Sequence, residues 1–281
     1  MIFYIPIADD NLGGSIWIRH IGDTLIQMGH DVRYCHYESD TSYGDYTIIQ
    51  SEWILTNAYK TSKKAIVLLG HFTKTVYPNP YEIRQKDIIL TQWKGAVIEK
   101  FESESGLKTH YFPHAYFPMP VISSIKDLFD GMWIGSDTSF RDISRFEGLP
   151  IRKETNLTPE SVSDFYVHSK ICPNVHLNIQ KGKMLDVPES VIDVPGYAVN
   201  ERLFWIPGAG GFQIADENPL VRDFYDDDEV PMATAEDFKE TFNYYLDHPK
   251  EREAMAMKAH LRTMKEHLYE HRITKIMLPL L

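Results

Sequence analysis

Cysteine is scarce. Cys35 and Cys172 are the two in 281 residues, and neither belongs to a metal-ligand or redox motif. A disulfide framework is therefore excluded, and a reducing cytoplasm is the simplest setting. Long apolar runs are missing too. The terminal IMLPLL is far too short to span a bilayer, and Met1 leads into IFYIPIA without a basic segment, so this run is expected to be a first strand and not a signal peptide. There is no internal repeat and no low-complexity tract. Positive charge is in deficit, with 29 basic against 40 acidic residues and a net charge of −11. That balance argues against a broad grip on nucleic acid or anionic membrane, while leaving room for a local basic cleft. What remains is ordinary for a soluble globular chain, 43% hydrophobic and 25% charged. The length suits two modest domains, and a chain of this size buries roughly three quarters of its unfolded surface, so no metal is needed to hold it.

The pattern predicts an α/β fold. Ile2–Ala8 reads as a strand, Asp9–Ser15 as a polar loop, Ile16–Met28 as a helix and Val32–His36 as a second strand. This order is a mononucleotide-type unit of a doubly wound sheet. Gly13 and Gly14 in the loop allow close backbone approach to a phosphate, although glycine pairs are common in loops generally. Further strands are expected at Asp45–Gln50, Ala65–Leu69, Ile88–Thr91 and Thr109–Phe112, with a helix at Gly95–Ser103. His71 follows the Ala65–Leu69 strand. An imidazole at a strand's C-terminal end can bond a hydroxyl or accept its proton near neutral pH; the alternative is a loop histidine satisfied by backbone. Pro118–Ser124 is proline-bearing and uncharged, the pattern of a hinge.

Beyond it, Gly131–Gly135 and Leu149–Lys153 read as strands, Thr158–Lys170 as a helix and Val175–Ile179 as a strand. Arg141 lies past a glycine turn, and Lys181 and Lys183 follow the Val175–Ile179 strand. Ala235–Asp247 and Pro249–His267 read as amphipathic helices, with Leu261 and Met264 expected inward. Asp226–Glu229 contains a D-x-D spacing that could hold a divalent cation, but a solvated turn is the simpler reading.

The chain is organised around Tyr197–Pro219, YAVNERLFWIPGAGGFQIADENP. Asn200 is suited to cap a helix, Gly208, Gly210 and Gly211 to end it, and Phe212–Ala215 to form a buried strand. Asp216, Glu217 and Asn218 then fall at that strand's C-terminal end, the edge where ligands bind in open α/β sheets. A helix start at Asn200 offers backbone donors to a phosphate, and Arg202 sits in its first turn. An ordinary helix–turn–strand of an α/β core is the rival reading.

The N-x-R-x-F run, its small-residue turn, the short strand ending in Asp, and the later YLDHPKERE and EHLYEHR resemble the CgeB/YkvP-type spore-protein glycosyltransferases, members of the GT-B group that use nucleotide sugars. The resemblance is best over 131–272 and only general over the first eighty residues. It implies two Rossmann-like domains facing a cleft: an acceptor domain over 1–120, a donor domain over 121–268, and 269–281 returning to the first. It implies transfer of a sugar from a nucleoside-diphosphate sugar to an acceptor hydroxyl of a glycan, protein, metabolite or modified DNA base. Gly13 and Gly14 would face the donor phosphates, and His71 would work at the reaction centre. Arg141, Lys181, Lys183 and Arg202 would meet the diphosphate, with Tyr197, Asn200, Gly210, Gly211, Asp216 and Glu217 completing the donor site. No metal and no other cofactor is expected, and the oligomeric state is left open. One departure stands out. Relatives read R-x-F-E where this chain has Arg202-Leu203-Phe204-Trp205, so the glutamate that holds the donor's ribose in similar enzymes is absent. A non-catalytic nucleotide-sugar-binding protein and a GT-B-fold epimerase or hydrolase are the alternatives.

Overall fold

The structure is a computed structural model and describes residues 1–7, 12–51, 54–70, 82–120, 128–135, 143–155, 157–176 and 197–281, with backbone alone for 12–15. It divides into two compact units. The described residues of the first fall within Met1–Pro113 and Tyr269–Leu281, and those of the second within His114–Lys183 and Tyr197–Leu268.

The first unit contains β1 (Ile2–Pro6), α1 (Leu12–Gln27), β2 (Asp31–Cys35), β3 (Tyr46–Gln50), α2 (Asn57–Thr61), β4 (Ala65–Leu69), β5 (Ile88–Thr91), the two-residue β6 (Trp93–Lys94), α3 (Ala96–Ser105) and β7 (Thr109–Tyr111). Six strands form a parallel sheet in the order β2-β1-β3-β4-β5-β7. Every residue of β4 is buried, as a central strand covered on both faces requires. Helix α1 buries Trp17, Ile18, Ile21 and Leu25. It starts earlier than the polar stretch suggested, so Gly13 and Gly14 lie in its first turn and not in a loop. The carbonyl of Gly70, just past β4, accepts the Trp93 indole N–H at 3.1 Å and the Gln92 amide at 2.5 Å. At the chain's end Tyr269, Ile273 and Met277 are buried, and the Tyr46 hydroxyl donates to the Leu281 carbonyl at 2.9 Å.

The second unit contains β8 (Phe129–Ile134), β9 (Ile151–Glu154), α4 (Pro159–Val167), β10 (Ser169–Asn174), β11 (Tyr197–Ala198), α5 (Arg202–Gly208), β12 (Gln213–Asp216), β13 (Met232–Ala233), α6 (Phe238–Asp247) and α7 (Pro249–Glu266). Its parallel sheet runs β13-β12-β10-β8-β9, so the strand order reverses between β8 and β10. Alternate residues feed two cores. Trp133, Ile171 and Ile214 pack with Phe238, Phe242 and Met255, while Met132, Ile134 and Cys172 pack with Val162, Tyr166 and Ile206. This is the period-2 partition of a sheet buried on both faces.

Two expectations are corrected here. The strand after α4 is Ser169–Asn174 and not Val175–Ile179. β10 registers with β8 at Ser169 and Ile171 and with β12 from Cys172 onward, so Pro173, a residue type that central strands disfavour, falls past its β8 partners. In α7, Met255, Ala259 and Thr263 form the inward row at four-residue spacing, which turns Leu261 and Met264 outward.

Candidate functional site

In open α/β sheets ligands bind at the C-terminal ends of the strands where the order reverses, here β8 and β10. Arg202 ties these two ends together. From the first turn of α5 its guanidinium donates to the carbonyl of Ile134 at the end of β8 (2.8 Å), to the carbonyl of Val175 just past β10 (2.9 Å) and to the Asn174 side chain (3.3 Å). The same group lies 4.3 Å over the Trp133 ring. A Cβ at position 135 would sit 2.4 Å from Arg202 Nη1, so any side chain there would displace the guanidinium from this position. Asn174 in turn donates its amide N–H to Gln213 Oε1 at 3.1 Å, and the Gln213 amide donates to the Leu203 carbonyl at 2.9 Å. Burial pushes the Arg202 guanidinium below its ordinary value, and the charges of Tyr166, Glu201 and Asp216 oppose that shift. An arginine stays cationic under such a shift, so the edge carries a fixed positive group.

Asn200 adds to the same edge. Its side-chain oxygen accepts the Leu203 N–H at 3.2 Å and its amide donates to the Val175 carbonyl at 3.3 Å. The first bond is the expected cap, one residue outside the helix boundary.

One strand further, His176 and Asp216 form a pair. Asp216 Oδ1 lies 2.5 Å from His176 Nδ1, and Oδ2 accepts the His176 backbone N–H at 3.0 Å. Burial pushes the Asp216 carboxyl up. The His176 charge and these two hydrogen bonds, with Arg145 beyond, outweigh it and leave the carboxyl below its ordinary value. The His176 ring is buried, and its Nε2 has no hydrogen-bond partner among the described residues.

Of the residues singled out from the sequence, Asn200, Arg202 and Asp216 therefore meet at one strand edge. Tyr197 is 39% exposed in β11, and Glu217 is exposed beside Asp216, on the rim of a hollow of about 410 Å³ that Thr234 and Asp237 also line. Gly210 and Gly211 are not brought there. They follow the C-terminal end of α5 and precede β12, at the opposite edge of the sheet, where Gly210 takes φ +90° and Gly211 packs under the Tyr166 carbonyl. Gly13 and Gly14 belong to the first unit. His71, Arg141, Lys181 and Lys183 lie outside the described residues. Trp205, where the resemblance led to the expectation of glutamate, donates its indole N–H to Ser163 Oγ at 3.0 Å and packs against the α4 core. His114 is buried, with Nε2 3.8 Å from Glu201 Oε1.

His176, Asn174, Gln213 and Gly135 were not visible as site residues. His176 was expected inside a strand, where a histidine carries no signal; β10 ends at Asn174, which leaves His176 two residues past it, at the edge. The acidic run is a paired turn. Asp226 and Glu229 bind Arg262 at 2.6 and 2.8 Å, Asp228 binds Lys258 at 2.6 Å, and Asp227 pairs with Arg222. Among the described residues no group of three or more His, Cys, Asp or Glu side chains is arranged to hold a metal ion, and no helix is long and apolar enough to cross a membrane.

Residues 121–278 match the model of a family described as glycosyl transferase-like. That is more than half of the chain, and the chain belongs to this family. A sequence comparison with curated proteins gives no significant match. Among solved structures, an alpha-glucosyltransferase in complex with UDP and a 13-mer DNA containing an HMU base superposes with a TM-score of 0.67 at 10% identity, over 96% of this chain and 95% of that one. Sucrose-phosphate synthase from Thermosynechococcus elongatus gives 0.61 at 10% identity, over 98% and 96%. HepE of Anabaena in complex with UDP gives 0.60 at 8% identity, over the whole of both chains. The fold is that of GT-B glycosyltransferases.

Proposed function

We propose that this chain transfers a glycosyl group from a nucleoside-diphosphate sugar to an acceptor hydroxyl, with the donor bound by the second unit. The observation that carries the proposal is the Arg202-bridged end of β8 and β10, with Asn200 and the His176–Asp216 pair beside it, inside the stretch matched by the glycosyl transferase-like family. In the reaction the acceptor oxygen bonds to the anomeric carbon while the bond from that carbon to the diphosphate breaks, and the electron pair leaves with the diphosphate. Negative charge grows on the leaving group, and fixed positive groups and N–H donors stabilise it. Arg141, Lys181, Lys183 and Arg202 are the proposed charges, and Gly13 and Gly14 offer first-turn amides from α1. His71 is the proposed base for the acceptor proton; it follows in sequence Gly70, whose carbonyl just past β4 accepts from Gln92 and Trp93.

Two of the similar folds hold UDP, so UDP-sugars are the first donors to test. The N-x-R-x-F stretch and YLDHPKERE support a CgeB/YkvP-type enzyme, and the free thiols of Cys35 and Cys172 support a reducing cytoplasm. The pairing of all four carboxylates of the acidic run supports catalysis without a metal. Incubation with a panel of nucleotide sugars, with and without glycan, protein, metabolite and hydroxymethylated-DNA acceptors, followed by mass measurement, tests the reading. A mass gain of one hexosyl or related unit on an acceptor is expected. Donor binding without turnover would instead make the chain a binding protein, and acceptor-independent conversion would make it an epimerase or hydrolase.

A further inference from the structure

We propose that the outward face of α7 is a dimerisation surface, on which a second copy of this chain lays its own α7 antiparallel, about a two-fold axis level with Ala259. The argument begins with the two faces of the helix. Arg252, Met255, Ala259 and Thr263 are buried and tie α7 to its own unit. On the other side Ala254, Met257, Leu261 and Met264 are exposed, the last three by 58%, 61% and 37%. At about 100° per residue each set spans roughly 80°, and their centres lie about 180° apart. The outer set repeats at spacings of three, four and three, the apolar seam of a helix that packs on another helix. Packing within the unit does not account for it, because that core lies on the opposite face. Single exposed apolar residues are ordinary, but a row of four over about three turns marks an interaction surface.

Self-complementarity identifies the partner. In an antiparallel pair centred on position 259, Ala254 meets the partner's Met264 and Met257 meets the partner's Leu261. The two-fold axis repeats both contacts. Charge matches in the same register. Glu251 and Lys265 flank the seam on one side, and Glu251 comes within about 3 Å, measured along the axis, of the partner's Lys265. Both are available for it: Glu251 is exposed and accepts the Tyr244 hydroxyl at 2.8 Å, and Lys265 is 80% exposed beside Glu266 at 3.4 Å. Near the axis Lys258 comes opposite the partner's Lys258, but Asp228 already meets that charge at 2.6 Å. The antiparallel sense also opposes the two helix dipoles. On the other flank a hollow of about 550 Å³, lined by Glu253, Met257 and His260 and by Lys170 of β10, gives the partner's long side chains room. The seam is narrower than the roughly 800 Å² per partner of a tight complex, so a Kd on the order of 10 μM is expected.

Sedimentation velocity of the full chain, from about 1 to 200 μM, tests the proposal over the range around that Kd. Monomer is expected at the low end and dimer at the high end. Met257→Glu and Leu261→Glu each place a helix former on an exposed face, so the fold is retained. Each should weaken dimerisation at least about ten-fold, since the change enters the interface twice. Glu251→Lys and Lys265→Glu should each weaken it about three- to ten-fold by setting like charges opposite one another. The chain carrying both changes should return to within about two-fold of wild type. The two positions are about 21 Å apart along one helix, so they cannot compensate within a chain. Recovery therefore reports a contact between copies and not a repair of folding. A protein still monomeric at the highest concentration, a dimer indifferent to Met257→Glu, or a double charge variant that fails to recover would overturn the proposal.

Discussion

Arg202 lays its guanidinium 4.3 Å over the ring of Trp133, so a residue of α5 and a residue of β8 hold one charged plane between them. That plane ties the ends of β8 and β10 through the Ile134 and Val175 carbonyls. Arg202→Ala leaves these acceptors and Asn174 Oδ1 without their donor, and the expected loss of unfolding free energy is roughly 3 kcal/mol. Arg202→Lys keeps the charge but lacks the planar fork, so it should fall nearer to alanine than to wild type. Urea unfolding of the three proteins checks both statements. In a folded Arg202→Ala, nucleotide-sugar affinity should drop by about 2–4 kcal/mol if the pair with the diphosphate is desolvated. Calorimetry showing unchanged affinity would confine Arg202 to the sheet.

The α/β class was legible because the strands are continuous apolar runs. Ala65–Leu69 and Ile88–Thr91 are found at the expected bounds. The site was legible where local chemistry marks it: Asn200 is a cap by residue type, and Asp216 ends a strand by pattern. It was illegible where the decisive contact is long-range. Nothing in the spacing tells that Arg202 reaches Ile134, 68 positions away, or that His176 faces Asp216, 40 positions away. Gly208 shows the same limit. It reads as a helix stop and is the last residue of α5, but its lack of a side chain also serves a packing contact that no local pattern shows.

That contact is with Tyr116. A Cβ on Gly208 would sit 2.4–2.6 Å from three atoms of the Tyr116 ring, and Tyr116 cannot retreat freely because its N–H donates to the His267 carbonyl at 2.8 Å. Gly208→Ala should cost about 1–3 kcal/mol of stability by overpacking. Tyr116→Ala opens the space the new methyl needs. The double mutant should therefore lose less than the two single losses added together, as contacting pairs do. Strict additivity in denaturant unfolding would show that the two residues do not meet.

His71 is proposed to act on the acceptor proton and not on the donor. His71→Ala should lower turnover by about two to four orders of magnitude and leave donor affinity nearly unchanged. Steady-state rates alongside calorimetry separate these effects. A variant transferring sugar at the wild-type rate reduces His71 to a structural residue.

Asp216 predicts how stability responds to acid. Its carboxyl is held below the ordinary value in the folded chain. The unfolded chain therefore binds a proton at Asp216 more readily than the folded one does. The stability this group contributes is fully present above the unfolded value of roughly pH 4, and it is lost as pH falls through the lower folded value. Asp216→Asn removes that component, so its unfolding free energy should change less steeply with pH than wild type below about pH 4. Parallel slopes for the two proteins would mean that Asp216 carries no shift.

The remaining question is what cation meets the departing diphosphate. A D-x-D site would supply a divalent metal, and Asp226–Glu229 is the stretch with that spacing. In the structure its carboxylates are turned to other work. Arg262 of α7 binds both Asp226 and Glu229, Lys258 binds Asp228, and Arg222 binds Asp227. A metal entering this turn would have to displace those cations, and Glu229 is also tied to the Asp226 backbone N–H at 2.8 Å. Sugar transfer is therefore expected to persist in excess EDTA, with the charge met by arginine, lysine and backbone N–H groups. Asp226→Asn combined with Asp228→Asn should leave turnover close to wild type and alter stability little, since exposed ion pairs contribute weakly. Loss of activity on chelation, restored by manganese, would place a metal at the diphosphate. Loss of activity in the double mutant as well would place that metal at this turn; retention would point to Asp216 and Glu217 instead.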